Sequence, residues 1–396
     1  MRESVHRART ATVYVAAVGE DQLHITASVR DQDAEAGRAA HDIYREVARV
    51  LKAGDMRTVH ERVFGSLDSR DEILAVRDGV LRAGGIGPER PITFIQGRPL
   101  WGRGLAGVQI HAVRPPESFD QIANIVDEGG AVCGHSWTRH HTRFLLLQNI
   151  HGIGEAPPGM NGRPFQAQRM FDRARQILRR YGAEYHHVVR TWIYLSRILD
   201  WYGPFNQARN AKYVEFGLMN GGPAETPKHW LPASTGIEGD NPLGAACVMD
   251  VFAVVPDAPL KVEPLHNVKQ NEAYDYGSAF SRGMCVREPD VTHILVSGTA
   301  SIDEEGRSLH RGDAASQVRR TIDNVQALIA QRDARLQDIC EATSFLKRAE
   351  DAAVYRRVLA EYDLLDMPAV VVKADVCRDE LLFELDALVE FGPSAA

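Results

Sequence analysis

His293-Ile294-Leu295-Val296-Ser297-Gly298 reads as an apolar strand running into a glycine turn, and the order of the elements after it decides the fold. Residues 313–331 set Val318, Ile322, Val325, Leu328 and Ile329 at the spacing of an amphipathic helix. Residues 339–347 read as a second strand. A long helical stretch then leads to two more apolar strands, over 370–376 and 381–391.

The same order occurs upstream. Phe144-Leu145-Leu146-Leu147-Gln148 reads as a strand, and Met170, Ala174, Ile177 and Leu178 mark the inward face of a helix. After them come a strand over 188–195, a helix around 208–216 and strands near 232–237 and 246–255. A fainter copy opens the chain: a strand over 23–29, then a helix with Ile43, Val47, Val50 and Leu51 inward. It continues with a strand over 59–64, a helix near 72–83 and strands over 92–96 and 106–113. Recurrence at roughly 120 to 140 residues predicts one α/β unit used three times. Proline and acidic residues interrupt the apolar pattern near 115–128 and 256–270. The expected organisation is a degenerate first unit at 1–115, a linker at 116–130, a second unit at 131–257 and a third at 258–396. Helices on one face of each sheet leave the other face bare, and three such units would cover one another.

Composition narrows the partners. The 396 residues carry a formal net charge of −7, and the basic side chains are dispersed, which argues against nucleic acid or an anionic membrane and for a small molecule. Five widely spaced cysteines without a CxxC suggest neither a disulfide framework nor a cysteine zinc site. The charged opening Met1-Arg2-Glu3 lacks a signal-peptide core, and no long apolar span appears, so a cytoplasmic location is expected.

The repeated unit resembles the YjgF/RidA family, a chorismate mutase-like α/β fold whose members form trimers with clefts between subunits. Here the resemblance implies an intramolecular pseudo-trimer. Five stretches over the last two thirds of the chain look like chorismatases: Arg190-Thr191-Trp192-Ile193-Tyr194, Phe205-Asn206-Gln207-Ala208-Arg209, Pro232-Ala233-Ser234-Thr235-Gly236, Ser297-Gly298-Thr299-Ala300-Ser301-Ile302 and residues 374–384. That family hydrolyses chorismate, or converts it to a hydroxybenzoate, with loss of pyruvate. Lys347 stands where the resemblance leads one to expect an arginine, and the segment between Tyr274 and Phe280-Ser281-Arg282 is shorter.

Glu384 lies in the otherwise apolar run Leu381-Leu382-Phe383-Glu384-Leu385, where burial without a partner raises a carboxyl pKa. Resemblance to the chorismatases implies that this acid protonates the enol-ether carbon of the substrate, and that Cys377 directs the product outcome. It also implies Arg209, Lys347 and Arg190 as cations for two carboxylates, with Asn206 beside them. Tyr274 and Tyr276 are candidates to line a ring pocket, and the Ser297, Gly298 and Thr299 turn to hold a carboxylate through amides and hydroxyls. For each of these groups ordinary packing or surface pairing is the competing reading. Alignment of the last strands sets Gln109 and Val248 opposite Glu384, so only one cleft is expected to work. The implied partner is a small cyclic carboxylic acid, with no cofactor, no nucleic acid and no membrane. A fused trimer completes its own clefts, so a monomer or weak dimer is expected.

Several motifs carry no chemistry. Gly102-Arg103-Gly104-Leu105-Ala106-Gly107 satisfies GxGxxG but precedes a strand, and Ser344-Phe345-Leu346-Lys347 satisfies SxxK on a strand. His135, His140, His141, His151, His186 and His187 form no HExxH or HxH set, and no metal site is expected. Two other functions remain open. One is a RidA-like imine or enamine deaminase, whose proline-alanine-arginine signature reads Pro368-Ala369-Val370 here. The other is a non-catalytic ligand-binding member of a biosynthetic pathway.

Overall fold

The computed structural model describes residues 2–115, 122–155, 162–219, 230–257 and 260–392. The first unit runs β1 (Arg2–Arg7), β2 (Ala11–Val18), β3 (Gln22–Val29), α1 (Ala36–Gly54), β4 (Arg57–Gly65), α2 (Arg70–Ala83), β5 (Thr93–Gln96), β6 (Arg98–Pro99) and β7 (Leu105–Val113). The second runs β8 (Ile122–Val126), β9 (Val132–Arg139), β10 (Thr142–His151), α3 (Gly162–Arg180), β11 (Val188–Leu195), α4 (Tyr202–Glu215), β12 (Ala233–Glu238) and β13 (Cys247–Pro256). The third runs β14 (Lys261–Leu265), β15 (Gly283–Arg287), β16 (Thr292–Ala300), α5 (Ala314–Ile329), β17 (Ile339–Leu346), α6 (Ala352–Glu361), β18 (Ala369–Lys373) and β19 (Phe383–Phe391).

All three sheets have one topology: β1-β2-β3-β7-β4-β5, β8-β9-β10-β13-β11-β12 and β14-β15-β16-β19-β17-β18. The last two strands of each order pair parallel across a helix; the other pairs are antiparallel. β6 leaves the first unit to join the edge of the third sheet beside β18.

The opening hairpin strands of each unit are absent from the sequence pattern. The expected linker at 116–130 is corrected here: Ile122–Val126 forms β8 and pairs with β9, and 116–121 lie outside the described residues. The reason is visible in β9, whose inward positions include His135 and Arg139, polar groups that find partners in other units. His135 Nδ1 stands 3.0 Å from the Val59 carbonyl, and Arg139 bridges Asp21, Glu288 and Asp290. Alternation of apolar with polar residues thus fails as a marker of burial.

Each sheet buries one face under its own helices, and the three opposite faces meet in two shared clusters. One joins Phe64, Tyr194, Phe345 and Val370; the other joins Val59, Trp137, Phe144, Met284 and Leu295. Polar pins cross the three seams in cyclic order. Asp386 accepts from Thr235 (2.7 Å) and Arg190 (3.0 Å), Asp250 accepts from Thr93 (2.8 Å) and pairs with His60 (2.9 Å), and Gln109 donates to the Ala342 carbonyl (2.8 Å). No helix among the described residues is long and apolar enough to cross a membrane.

Candidate active site

Strand alternation positions the acid. Phe383, Leu385, Ala387 and Val389 of β19 pack beneath the helices of the third unit, so Glu384 and Asp386 project from the other face, towards the second unit. Glu384 lies opposite Ala300 on β16 and Phe345 on β17 and is 4% exposed. The β16–β19 register breaks between Val296 and Thr299. That bulge brings Gly298 beneath the Glu384 carboxyl, where a Cβ would overlap Oε1.

The two units enclose a cavity of about 170 Å³. The second unit lines it with Tyr202, Asn206 and Arg209 from α4, and with Ser234 and Gly236 from β12. The third contributes Ser278, Phe280, Arg282, Gly298, Ala300 and Ile302, together with Cys377, Arg378 and Glu384. Asn210 of α4 holds the wall in place, donating to the Gly277 carbonyl (2.9 Å) and accepting from the Ala279 amide (3.2 Å).

Burial, reinforced by Asp386, pushes the Glu384 carboxyl up to about 8, against the opposing pull of Arg190 and Arg282. A carboxyl shifted this far is mostly protonated near pH 7. Burial also pushes the Cys377 thiol up to about 12, with Glu384 adding to the shift, so the sulfur stays protonated and is no ready nucleophile. Arg209, 1% exposed, donates to Asn206 Oδ1 (2.6 Å) and lies over the rings of Phe205 and Phe280. Its Nε has no hydrogen-bond partner, and among the described residues no carboxylate pairs with its guanidinium. Arg282 also lies over the Phe280 ring and donates to the Asn271 carbonyl; Arg378 donates to the Gly306 carbonyl and Ser308. The cavity thus sets three guanidinium groups beside one buried carboxyl.

Five of the residues anticipated from sequence meet here: Glu384, Cys377, Arg209, Asn206 and Gly298. Others do not line the cavity. Lys347 follows the end of β17 and projects to a separate polar cavity of about 400 Å³, where its Nζ meets Asp379 at 2.8 Å and Asp375 at 3.4 Å. Arg190 sits behind Glu384, 1% exposed, bound to Thr235 and Asp386, and holds the seam. The Ser297 hydroxyl donates to the Ser281 carbonyl (2.6 Å) and accepts from the Ser234 amide (2.8 Å), while Thr299 donates to the Ser297 carbonyl (2.8 Å). Both hydroxyls therefore shape the bulge. Tyr274 packs against the core of the second unit, and the Tyr276 side chain lies outside the described residues.

The alignment of the last strands also shifts. Bulges after Thr58, Val188 and Ile339 bring Phe64, Tyr194 and Phe345 into correspondence, and these lie opposite Gly107, Val248 and Glu384. Gly107, not Gln109, is therefore the counterpart of Glu384 in the first unit. At the corresponding positions the other two seams are filled: Gln148 and Asn149 bond into the first unit, and Val370 packs over Gly107. Arg282, Arg378, Phe280, Ser278 and Tyr202 were not anticipated. Arg378 lies inside the family-like stretch 374–384, which was the available signal.

A RutC family protein of Pyrococcus abyssi is 32% identical to this chain over 96 residues, which is 24% of this chain and 76% of the relative. The chain belongs to the YjgF/RidA-like family. The endoribonuclease L-PSP family model agrees, matching residues 277–391, the third YjgF/RidA-like unit. A chorismatase of Streptomyces hygroscopicus is 26% identical over 299 residues, covering 70% of this chain and 80% of that protein. A chorismatase crystal structure matches 84% of this chain and 92% of its own with a TM-score of 0.60 at 20% identity, so the pseudo-trimeric YjgF/RidA-like fold is shared along nearly the whole length.

Proposed function

We propose that this chain converts chorismate, or a closely related enolpyruvyl cyclic acid, with release of pyruvate. The carrying observation is the buried Glu384 carboxyl, pushed up to about 8, in a cavity whose Arg209 guanidinium lacks a carboxylate partner among the described residues. Similarity to a chorismatase over 70% of the chain supports the substrate class.

Glu384 donates its proton to the methylene carbon of the enol ether, leaving an oxocarbenium ion beside the carboxylate formed. Water, or a hydroxyl of the substrate, adds to the oxygen-bearing carbon of that oxocarbenium ion and returns its proton to Glu384. Collapse of the water adduct breaks the bond between the former enol carbon and the ring oxygen, which takes a proton from Glu384, and frees pyruvate. Water attack leaves a dihydroxycyclohexadienoate; internal attack allows aromatisation to a hydroxybenzoate. Arg209, with Arg282 and Arg378, binds the substrate carboxylates, and Cys377 adjoins the reacting region. The imine-deaminase reading is disfavoured, because Val370, standing where that signature has arginine, packs in the seam between the first and third units.

Incubation of purified protein with chorismate, with enzymatic assay of pyruvate and mass spectrometry of the ring product, tests the proposal. Equimolar pyruvate and a ring acid are expected. Unchanged chorismate at high enzyme concentration rejects the substrate.

A further inference from the structure

Outside the Glu384 cavity, the inner faces of the three sheets enclose a second, smaller space of about 40 Å³, lined by His24, His60, His111, His293, Glu341 and Glu390. At its edge three potential ligand atoms converge. The Nε2 of His24, on β3 of the first unit, stands 3.2 Å from Oε2 of Glu390 on β19, and the Sγ of Cys340 on β17 stands 3.5 Å from the same oxygen. All three ligand atoms lie within 4.8 Å of one another, and all three side chains are buried.

His24 is only 3% exposed; its Nε2 faces the Glu390 carboxylate, and its Nδ1 has no hydrogen-bond partner within the described residues. A divalent cation at this point would take the imidazole lone pair and the carboxylate charge together, where the two groups already face each other. The two spacings to Glu390, 3.2 and 3.5 Å, fit that role: bonds of about 2.0 to 2.3 Å in a tetrahedral site set neighbouring ligand atoms about 3.3 to 3.5 Å apart.

We propose that His24, Cys340 and Glu390 form a binding site for a divalent transition metal of the zinc type. One imidazole nitrogen, one thiol sulfur and one carboxylate suit a borderline-soft ion, and the sulfur disfavours magnesium and calcium. The surrounding groups hold these ligands in place. Glu390 Oε1 stands 2.6 Å from His293 Nδ1, whose other nitrogen meets Glu288 at 2.7 Å, and His111 stacks on His24 at 4.4 Å. The small cavity leaves room for a water as the fourth ligand. Gln22 and Glu390 line both this space and an open groove of about 870 Å³ between the first and third units, which provides a route from solvent. The ion would pin β3 of the first unit to β17 and β19 of the third. The site does not depend on the reading of the Glu384 cavity.

Full-length protein stripped with a chelator and titrated with Co²⁺ is expected to take one equivalent and to show a thiolate-to-cobalt charge-transfer band. Zn²⁺ should abolish that band and raise Tm by on the order of 5 °C. Cys340→Ala should remove both the band and the Tm rise. If that variant does not fold, His24→Gln read by the same band takes its place. No thiolate band in the unmodified protein, or a band that survives in the folded variant, overturns the site.

Discussion

The Glu384 carboxyl occupies the volume in which any side chain at position 298 would begin, so the bulge glycine and the acid form one geometric unit. Gly298 does not have a positive φ, so alanine is compatible with the backbone, and its methyl acts chiefly on the carboxyl, with a milder contact to Thr235 Cγ2 at 3.3 Å. Gly298→Ala is expected to lower turnover of chorismate by about 100-fold while leaving a folded protein. Paired kcat and Tm measurements check this; a fully active variant would remove Glu384 from the chemistry.

A general acid whose carboxyl is pushed up to about 8 works while it keeps its proton. The pyruvate-forming kcat/KM should therefore be level from neutral pH to about pH 8 and fall about tenfold per unit above it. Glu384→Gln should reduce the rate by about 100- to 10,000-fold and erase that limb. A pH–rate profile that falls already near pH 5 contradicts the assignment.

The same shift alters stability with a definite sign. The folded protein holds a proton on Glu384 that the unfolded chain releases above the usual carboxyl value, so this contribution is full below that value and is lost as pH rises through about 8. Glu384→Gln lacks the dependence and should gain on the unmodified protein by on the order of 1 to 3 kcal/mol between pH 5 and pH 9. Urea denaturation of both proteins at the two pH values reads the difference directly.

Arg209 offers a fork that a lysine cannot reproduce. Arg209→Lys should raise KM for chorismate by about 10- to 100-fold, with a smaller effect on kcat. An unchanged KM would place the substrate carboxylates elsewhere.

Lys347, held by Asp375 and Asp379 outside the cavity, supplies the opposite expectation. Lys347→Met should leave kcat/KM within about twofold, as surface ion pairs contribute little. A large loss would show that the substrate reaches further along the seam than the cavity does.

Helices were legible because their buried positions recur at helical spacing, as at Val318, Ile322 and Val325 of α5. The opening hairpins were not, because the inward residues of β9 include His135 and Arg139, whose partners Val59 and Glu288 belong to other units. Family resemblance pointed to Lys347 as a substrate cation, and strand alignment to Gln109 as the counterpart of Glu384; the structure moves both away from the site. Nothing local distinguishes a cavity-lining arginine such as Arg282 from one on the surface; for Arg378 only its place in the family-like stretch 374–384 does so.

The sequence by itself determined the threefold repetition of one α/β unit and the isolation of an acid in an apolar strand, since both are local patterns of side-chain spacing. Only the tertiary structure decided which cations surround that acid, which seams are filled and which histidine meets which cysteine. Those facts depend on register breaks and on contacts between residues hundreds of positions apart, to which no local pattern is sensitive.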